Sequence, residues 1–166
     1  MELTRHPLAA TNLLFGVSNF FVLPLPSAWE LVRGPFEPEV DRQTRREEIS
    51  WVQEGHAMYL LVHRAYRATV ELRIAIRPRT AAPRTPMRPL DRDMAPRQMP
   101  IGGHGATYQL SEQLRGWWPR KRVNTLSLAF PCDVLGRGIA LELLEEEGQE
   151  AHLREILQAL SQLQCH

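Results

Sequence analysis

The stretch TVELRIAIR, residues 69–77, carries the clearest structural signal in the chain. The apolar side chains at every second position are Val70, Leu72, Ile74 and Ile76. Glu71 and Arg73 stand between them. Because side chains alternate between the two faces of a strand, this pattern predicts a β-strand with one buried face and one face toward solvent.

Apolar runs on both sides of this stretch predict further strands. They are NFFVLPLP (19–26), HAMYLLVHRA (56–65), GATYQLSEQLRG (105–116), KRVNTLSLAFPC (121–132) and GRGIALELLEEE (136–147). The first leads to Trp29, which we expect in the core, and a hairpin turn is expected at Glu54 and Gly55. Most connections are short, which favours antiparallel pairing. The acidic run LLEEEGQE (143–150) is predicted to be a solvated turn.

The apolar period changes after Gln149. The apolar residues now recur at spacings of three and four, and they are Leu153, Ile156, Leu157, Leu160 and Leu163. This spacing is typical of an amphipathic helix. The predicted fold class is therefore α+β, a largely antiparallel β-sheet with a C-terminal amphipathic helix packed on one face.

The chain has a length that suits one domain, residues 1–166. A chain near 150 residues buries roughly 70% of the surface that its unfolded form exposes. Residues 77–100 contain six prolines and six arginines with little apolar periodicity. Proline lacks the N–H donor that a central strand needs, so this segment is predicted to be a Pro/Arg-rich surface loop.

Charge and hydropathy restrict the partners of the chain. Twenty Lys and Arg residues against nineteen Asp and Glu residues give a formal charge of +1. Such a balance provides no global field that would attract nucleic acid or acidic lipid. No apolar run reaches the ~18 residues of a membrane span, and the first residues lack the pattern of a signal peptide. A cytoplasmic protein without membrane contact is the expectation.

Two cysteines and two histidines are the candidate metal ligands. Cys165 and His166 are adjacent, and a helix docked on the sheet could return them to Cys132 at the end of a predicted strand. His104 could supply a fourth ligand to zinc, which binds thiolates and imidazoles. Two alternatives stay open. One is a disulfide between the cysteines, and the other is a buried Cys132 with Cys165 and His166 at a frayed helix end.

The stretch IGGHGATY, residues 101–108, surrounds His104 with three glycines. These glycines favour a tight bend entering a strand, and an anion-binding nest of N–H groups is the alternative. The GxGxxG spacing of dinucleotide sites is absent, as are the common hydrolase and protease motifs. No catalytic residue is predicted, and the sequence leaves enzymatic activity undecided, with non-enzymatic binding favoured.

The stretch RGWWPRKR, residues 115–122, places aromatic residues beside basic ones. This combination suits an acidic protein surface, or a phosphate backbone with a stacked base. The alternative is a basic hairpin tip with one packed tryptophan. The predicted partner-binding residues are Trp117, Trp118, Arg120, Lys121 and Arg122, together with Arg84 and Arg88 of the 77–100 loop.

Three segments resemble the PsbP-like superfamily: FFVLPLPSAWEL (20–31), IGGHGATYQ (101–109) and LREILQALSQL (153–163). The strand, proline and tryptophan of the first segment recur in that family. The resemblance implies an antiparallel sheet with helices packed on it, and a protein that binds or assists other proteins. It implies no catalytic residue. Many relatives have a long helix where this chain runs from Trp29 to Trp51, and no helical pattern is visible there.

Three functions follow as hypotheses. The first is a non-enzymatic protein-interaction or assembly domain of PsbP-like type, acting on a protein partner or a second copy of itself. The second is a metal- or ligand-binding domain, with zinc as the cofactor, at His104, Cys132, Cys165 and His166. The third is a nucleic-acid accessory protein, which the balanced net charge disfavours.

Overall fold

A computed structural model describes residues 2–11, 18–36, 56–66, 68–78, 95–115, 121–146 and 150–166. These residues contain nine strands and one helix. The strands are β1 (Leu3–Thr11), β2 (Ser18–Pro26), β3 (Trp29–Phe36), β4 (His56–His63), β5 (Thr69–Pro78), β6 (Arg97–Ile101), β7 (His104–Arg115), β8 (Lys121–Cys132) and β9 (Arg137–Glu146), and the helix is α1 (Glu150–Leu160). The predicted α+β class, with an antiparallel sheet and a helix packed on it, is confirmed.

All nine strands belong to one sheet with the order β2-β1-β4-β5-β9-β8-β7-β6, and β3 also pairs with β4. Every pairing is antiparallel. Among the described residues, β1 pairs with β4 in register at Thr11 and His56. Farther along, the Tyr59 hydroxyl donates to the carbonyl of Ala9 at 2.9 Å and accepts from its N–H at 3.0 Å. This side chain therefore extends the contact between β1 and β4.

The alternation of β5 has the predicted effect. Val70, Leu72, Ile74 and Ile76 are buried, and Glu71 and Arg73 are half-buried on the other face. Trp29 also lies in the core, with 1% of its surface exposed. Burying large apolar side chains of this kind stabilises the fold by roughly 1.5–3 kcal/mol each.

Helix α1 covers the core with its apolar stripe. The buried stripe consists of Leu153, Ile156, Leu157, Ala159 and Leu160, and it packs on β2 and β8. On the exposed side, Glu150 in the first turn pairs with Arg154 one turn later. A carboxylate at this end is also favoured by the helix dipole. In the described segments α1 is the one helix. With 11 residues it is too short and too polar to cross a membrane.

The 161–166 segment leaves the helix through a turn at Ser161 and Gln162, after which Gln164 pairs with a strand. Leu163 is buried but lies beyond the helix end, so the helix is shorter than the predicted stripe. Gln164 exchanges two backbone hydrogen bonds with Val22 of β2, at 2.9 and 3.1 Å. The alternative of a frayed helix end is therefore wrong for Cys165, which is buried beside this pairing, whereas His166 is exposed.

The 161–166 segment also shows that the sheet is strongly coiled. β2 and β6 end the strand order, and a flat sheet would separate them by roughly 34 Å, seven spacings of about 4.8 Å. Yet Gln164 bonds Val22 of β2, while the carbonyl of Ser161 accepts from the N–H of Gly102, next to β6, at 3.2 Å. The three residue steps from Ser161 to Gln164 can span at most about 10 Å. The two outer parts of the sheet therefore approach each other at this segment.

Several elements differ from the sequence-based expectation. β1 carries no clear apolar alternation and was not expected as a strand. The predicted 77–100 loop is described only at its ends, where Pro78 ends β5 and residues 97–100 belong to β6. Proline is tolerated in both strands, since β6 is an edge strand and Pro78 is the last residue of β5. The expected turn at Glu54 and Gly55 lies outside the described residues.

Candidate metal centre

Cys132 and His104 come together through the pairing of β7 with β8. Cys132 is the last residue of β8 and is fully buried, while His104 is the first residue of β7. The register of the two strands sets Thr107 opposite Ala129. Thr107 and Ala129 are the last pair at this end, and the same register continued by three residues would set His104 opposite Cys132. The sequence separation between the two residues is thus closed by ordinary strand pairing.

A glycine turn between β6 and β7 presents His104. Gly102 and Gly103 have φ angles of +53° and +85°. Side-chain-bearing residues rarely adopt such angles, which explains the glycine pair. The imidazole of His104 then stacks on Phe130 of β8, with ring centroids 5.9 Å apart. The predicted tight bend is confirmed, and it aims the histidine along the end of β8.

The other two ligand candidates come from the 161–166 segment. Its extended backbone alternates, so that Leu163 and Cys165 are buried whereas Gln164 and His166 are exposed. The hydrogen bonds of Gln164 to β2 and of Ser161 to Gly102 hold the segment on both sides. This placement brings Cys165 to the end of β8.

His104, Cys132, Cys165 and His166 form one group, called here the Cys/His cluster. Their four candidate ligand atoms all lie within 4.8 Å of one another. The Sγ of Cys165 is 3.4 Å from His104 Nε2 and 3.3 Å from His166 Nδ1, and the Sγ of Cys132 is 3.7 Å from His166 Nδ1. The two sulfurs are 2.8 Å apart, and both cysteines are free. All four sequence-predicted ligands are therefore brought together, and the cluster could hold a metal ion.

The thiol of Cys165 has a raised pKa. Removal from water, and then the neighbouring sulfur of Cys132, raise the pKa of Cys165 to about 12. A buried thiol resists ionisation because the thiolate would lose its hydration. A bound cation reverses this preference, since metal coordination deprotonates a thiol.

A pocket of about 490 Å³ adjoins the cluster. The residues that line it are Arg5, Gly102, Gln162, Leu163, Gln164 and His166. His166 thus belongs to both the cluster and the pocket wall. The buried sulfurs are therefore separated from solvent on this side by an exposed imidazole.

Gly102 allows the close approach between the glycine turn and the 161–166 segment. A Cβ at this position would overlap the carbonyl oxygen of Leu163, whereas a Cβ at Gly103 would meet nothing within 4 Å. The two neighbouring glycines thus have different roles. Both permit the turn, and only Gly102 also makes room for the segment that carries Cys165.

The predicted partner-binding surface is described only in part. Lys121 forms an ion pair with Glu146 at 3.1 Å, and Arg122 pairs with Glu112 at 3.4 Å. These acidic residues lie on the strands next to β8, so both basic side chains take part in cross-strand pairs. Trp117, Trp118, Arg120, Arg84 and Arg88 lie outside the described residues. The partner surface stays a prediction.

A buried polar group that the sequence analysis missed lies near the start of α1. Glu145 is 1% exposed, and its Oε1 is 2.6 Å from Nδ1 of His152. Burial raises the pKa of Glu145, and the hydrogen bond and charge of His152 oppose that rise. The predicted solvated turn at LLEEEGQE is therefore wrong at this residue. The period-two pattern of β9 carried the signal, because Leu141, Leu143 and Glu145 share one face.

Comparison with known proteins adds no assignment. No family model matches the chain, and no curated protein matches it.

Proposed function

We propose that this protein is a zinc-binding domain in which the Cys/His cluster holds one Zn²⁺. The ion would connect the 161–166 segment to the end of the β7–β8 pair. The carrying observation is the convergence of four sulfur and nitrogen atoms from three chain segments, with His104 and Cys165 61 positions apart.

The donor set supports zinc. Two thiolates and two imidazoles form one of the ligand sets typical of structural zinc sites. Calcium and magnesium prefer oxygen ligands, so these donors suit neither. A set of four protein ligands also fills a tetrahedral shell. This favours a structural ion over a catalytic one, which keeps a position open for water or substrate.

The distances support the same ion. With Zn–S near 2.3 Å and Zn–N near 2.0–2.1 Å, a tetrahedral site separates sulfur from nitrogen by about 3.6 Å. The sulfur–nitrogen separations in the structure, 3.3, 3.4 and 3.7 Å, lie around that value. The two sulfurs would have to move apart, from 2.8 Å to about 3.8 Å, when both bind the ion.

The position of the cluster explains what the ion would do. Cys132 and His104 belong to one end of the strand order, and Cys165 follows Gln164, which pairs with β2 at the other end. Backbone hydrogen bonds already hold this junction, and the ion adds four ligand bonds to it. Because the ligands are assembled only in the folded chain, zinc affinity contributes directly to folding stability.

Metal analysis of the purified chain tests the proposal. We expect about one zinc per chain, and a large loss of zinc in the variants Cys132→Ser and His104→Ala. Gln164→Ala is the matched control, because Gln164 is exposed and adjoins Cys165 without belonging to the cluster. Circular dichroism would confirm that each variant folds. A chain that binds no zinc after purification and after reconstitution would overturn the proposal.

Cobalt gives a second measurement that does not depend on the folding of a variant. Added to the metal-free native chain, Co²⁺ in a tetrahedral thiolate site is expected to produce visible absorption and a sulfur-to-metal charge-transfer band. Titration with zinc should abolish both signals at one equivalent. Octahedral cobalt spectra without the charge-transfer band would contradict the proposed ligands.

A further inference from the structure

The two sulfurs of the Cys/His cluster suggest a second chemistry, which rests on the proposed zinc site. We propose that Cys132 and Cys165 are a redox modification site at which a peroxide converts the two zinc-bound thiolates into a disulfide and releases the ion. The chain would then exist in a zinc-bound reduced form and a zinc-free oxidised form.

The distance between the sulfurs carries this inference. At 2.8 Å they are closer than two thiolates on one zinc, which stand about 3.8 Å apart, and farther than the roughly 2.05 Å of a disulfide. Movement of about 1 Å in one direction gives the metal geometry. A similar movement in the other direction gives the disulfide.

The backbone keeps the two cysteines together without an ion. Cys132 ends β8, which is paired with β9 up to that residue. Cys165 follows Gln164, whose backbone is bonded to Val22, and Gly102 is bonded to Ser161 in the same segment. Loss of zinc therefore leaves the sulfurs adjacent. This favours an internal disulfide over reaction with a second chain.

Access for a small oxidant is provided beside His166. Both sulfurs are buried, with 0% of Cys132 and 2% of Cys165 exposed. His166 is exposed, contacts both sulfurs through Nδ1, and lines the pocket of about 490 Å³. We therefore expect displacement of this imidazole to open a path from the pocket to the sulfurs.

The chemistry balances with hydrogen peroxide as the oxidant. One thiolate attacks the O–O bond, gaining a hydroxyl group as a sulfenic acid and releasing hydroxide. The second thiolate attacks the sulfenic sulfur, forms the S–S bond and releases a second hydroxide. Two protons convert the hydroxides to water, and the two electrons lost by the sulfurs reduce the peroxide. The zinc ion loses two of its four donors and dissociates.

The experiment uses the zinc-loaded native chain. Zinc content is measured first, and then hydrogen peroxide is added while a chromogenic chelator reports the release of zinc. Mass spectrometry and titration of free thiols follow the sulfurs. We expect one zinc released for every two thiols lost, a mass lower by two hydrogens, and recovery of zinc binding after reduction with dithiothreitol.

The outcomes separate the two proposals. A chain with no zinc before oxidation refutes the zinc site itself. A chain that holds zinc but keeps it under peroxide, forms sulfinic acids, or forms disulfide-linked dimers refutes only the redox inference. In Cys132→Ser the second step is blocked, so peroxide should produce neither an internal disulfide nor a mass lower by two hydrogens. If that variant does not fold, the zinc-to-thiol ratio of the native chain still decides the matter.

Discussion

Replacing Gly102 with alanine is expected to destabilise the protein more than the same change at Gly103. Both glycines have positive φ angles, so each alanine has a similar backbone strain. They differ in space, because a Cβ at Gly102 would overlap the carbonyl oxygen of Leu163 and one at Gly103 would meet nothing within 4 Å. The pair therefore isolates the close approach from the turn conformation.

The magnitude follows from the contacts that the overlap would break. Alanine at a left-handed position costs roughly 1–2 kcal/mol at either site. At Gly102, moving the 161–166 segment also weakens the hydrogen bond to Ser161, worth about 1 kcal/mol, and partly exposes the buried Leu163, worth about 1–2 kcal/mol. We expect the free energy of unfolding to fall by about 3–5 kcal/mol in Gly102→Ala and by about 1–2 kcal/mol in Gly103→Ala.

Urea unfolding of the metal-free chains, with a chelator present, measures both losses. The midpoint should shift much farther for Gly102→Ala at a similar slope, since the slope reports the surface exposed on unfolding. Chelator competition should also show weaker zinc binding in that variant, because the displaced segment carries Cys165. Equal losses of stability and equal zinc affinities in the two variants would refute the close approach as the reason for Gly102.

Three further predictions concern stability. Adding zinc at a thousandfold excess over its dissociation constant should raise the free energy of unfolding by about 4 kcal/mol, and removing it with EDTA should lower the melting temperature accordingly. A melting temperature that changes with neither zinc nor EDTA would contradict the coupling of metal binding to folding. Oxidation to the Cys132–Cys165 disulfide should stabilise the metal-free chain by up to about 4 kcal/mol, because the bond lowers the entropy of the unfolded chain. Urea unfolding with and without reductant measures this difference. An unchanged free energy of unfolding would mean that the bond forms only with distortion of the folded chain. Burial raises the folded-state pKa of Glu145 above its ordinary value of 4.5. Between the unfolded-state pKa and the folded-state pKa, the folded chain therefore binds more protons than the unfolded chain. The free energy of unfolding should fall as the pH rises through this range. Glu145→Gln should lack this decline, and a native chain that instead gains stability relative to the variant as pH rises would contradict the assigned burial.

The repeating patterns of the sequence predicted most of the sheet. β5 and α1 are readable because one face of each is buried, and the period of their apolar residues reports that face directly. β1 and β6 are not readable in this way. They contain Pro7 and Pro100 and few large apolar residues, and their pairing with β2 and β7 depends on neighbours that the local sequence does not reveal.

The ligands of the cluster were predictable as a set, but their geometry was not. The sequence has two cysteines, and one of them is next to a histidine, which left few candidate metal ligands. The three glycines around His104 indicated this histidine as the fourth ligand. The distances between the ligand atoms depend on the coiling of the sheet and on the path of the 161–166 segment. The pairing of Gln164 with Val22 decides where Cys165 lies, and no residue pattern near position 164 signals that pairing.

X-ray absorption at the zinc edge of the purified native chain tests the central claim most directly. The account predicts one zinc per chain with two sulfur neighbours near 2.3 Å and two nitrogen neighbours near 2.0 Å. A spectrum with oxygen and nitrogen neighbours only, or a chain without zinc, would contradict the assignment of His104, Cys132, Cys165 and His166 as the ligands.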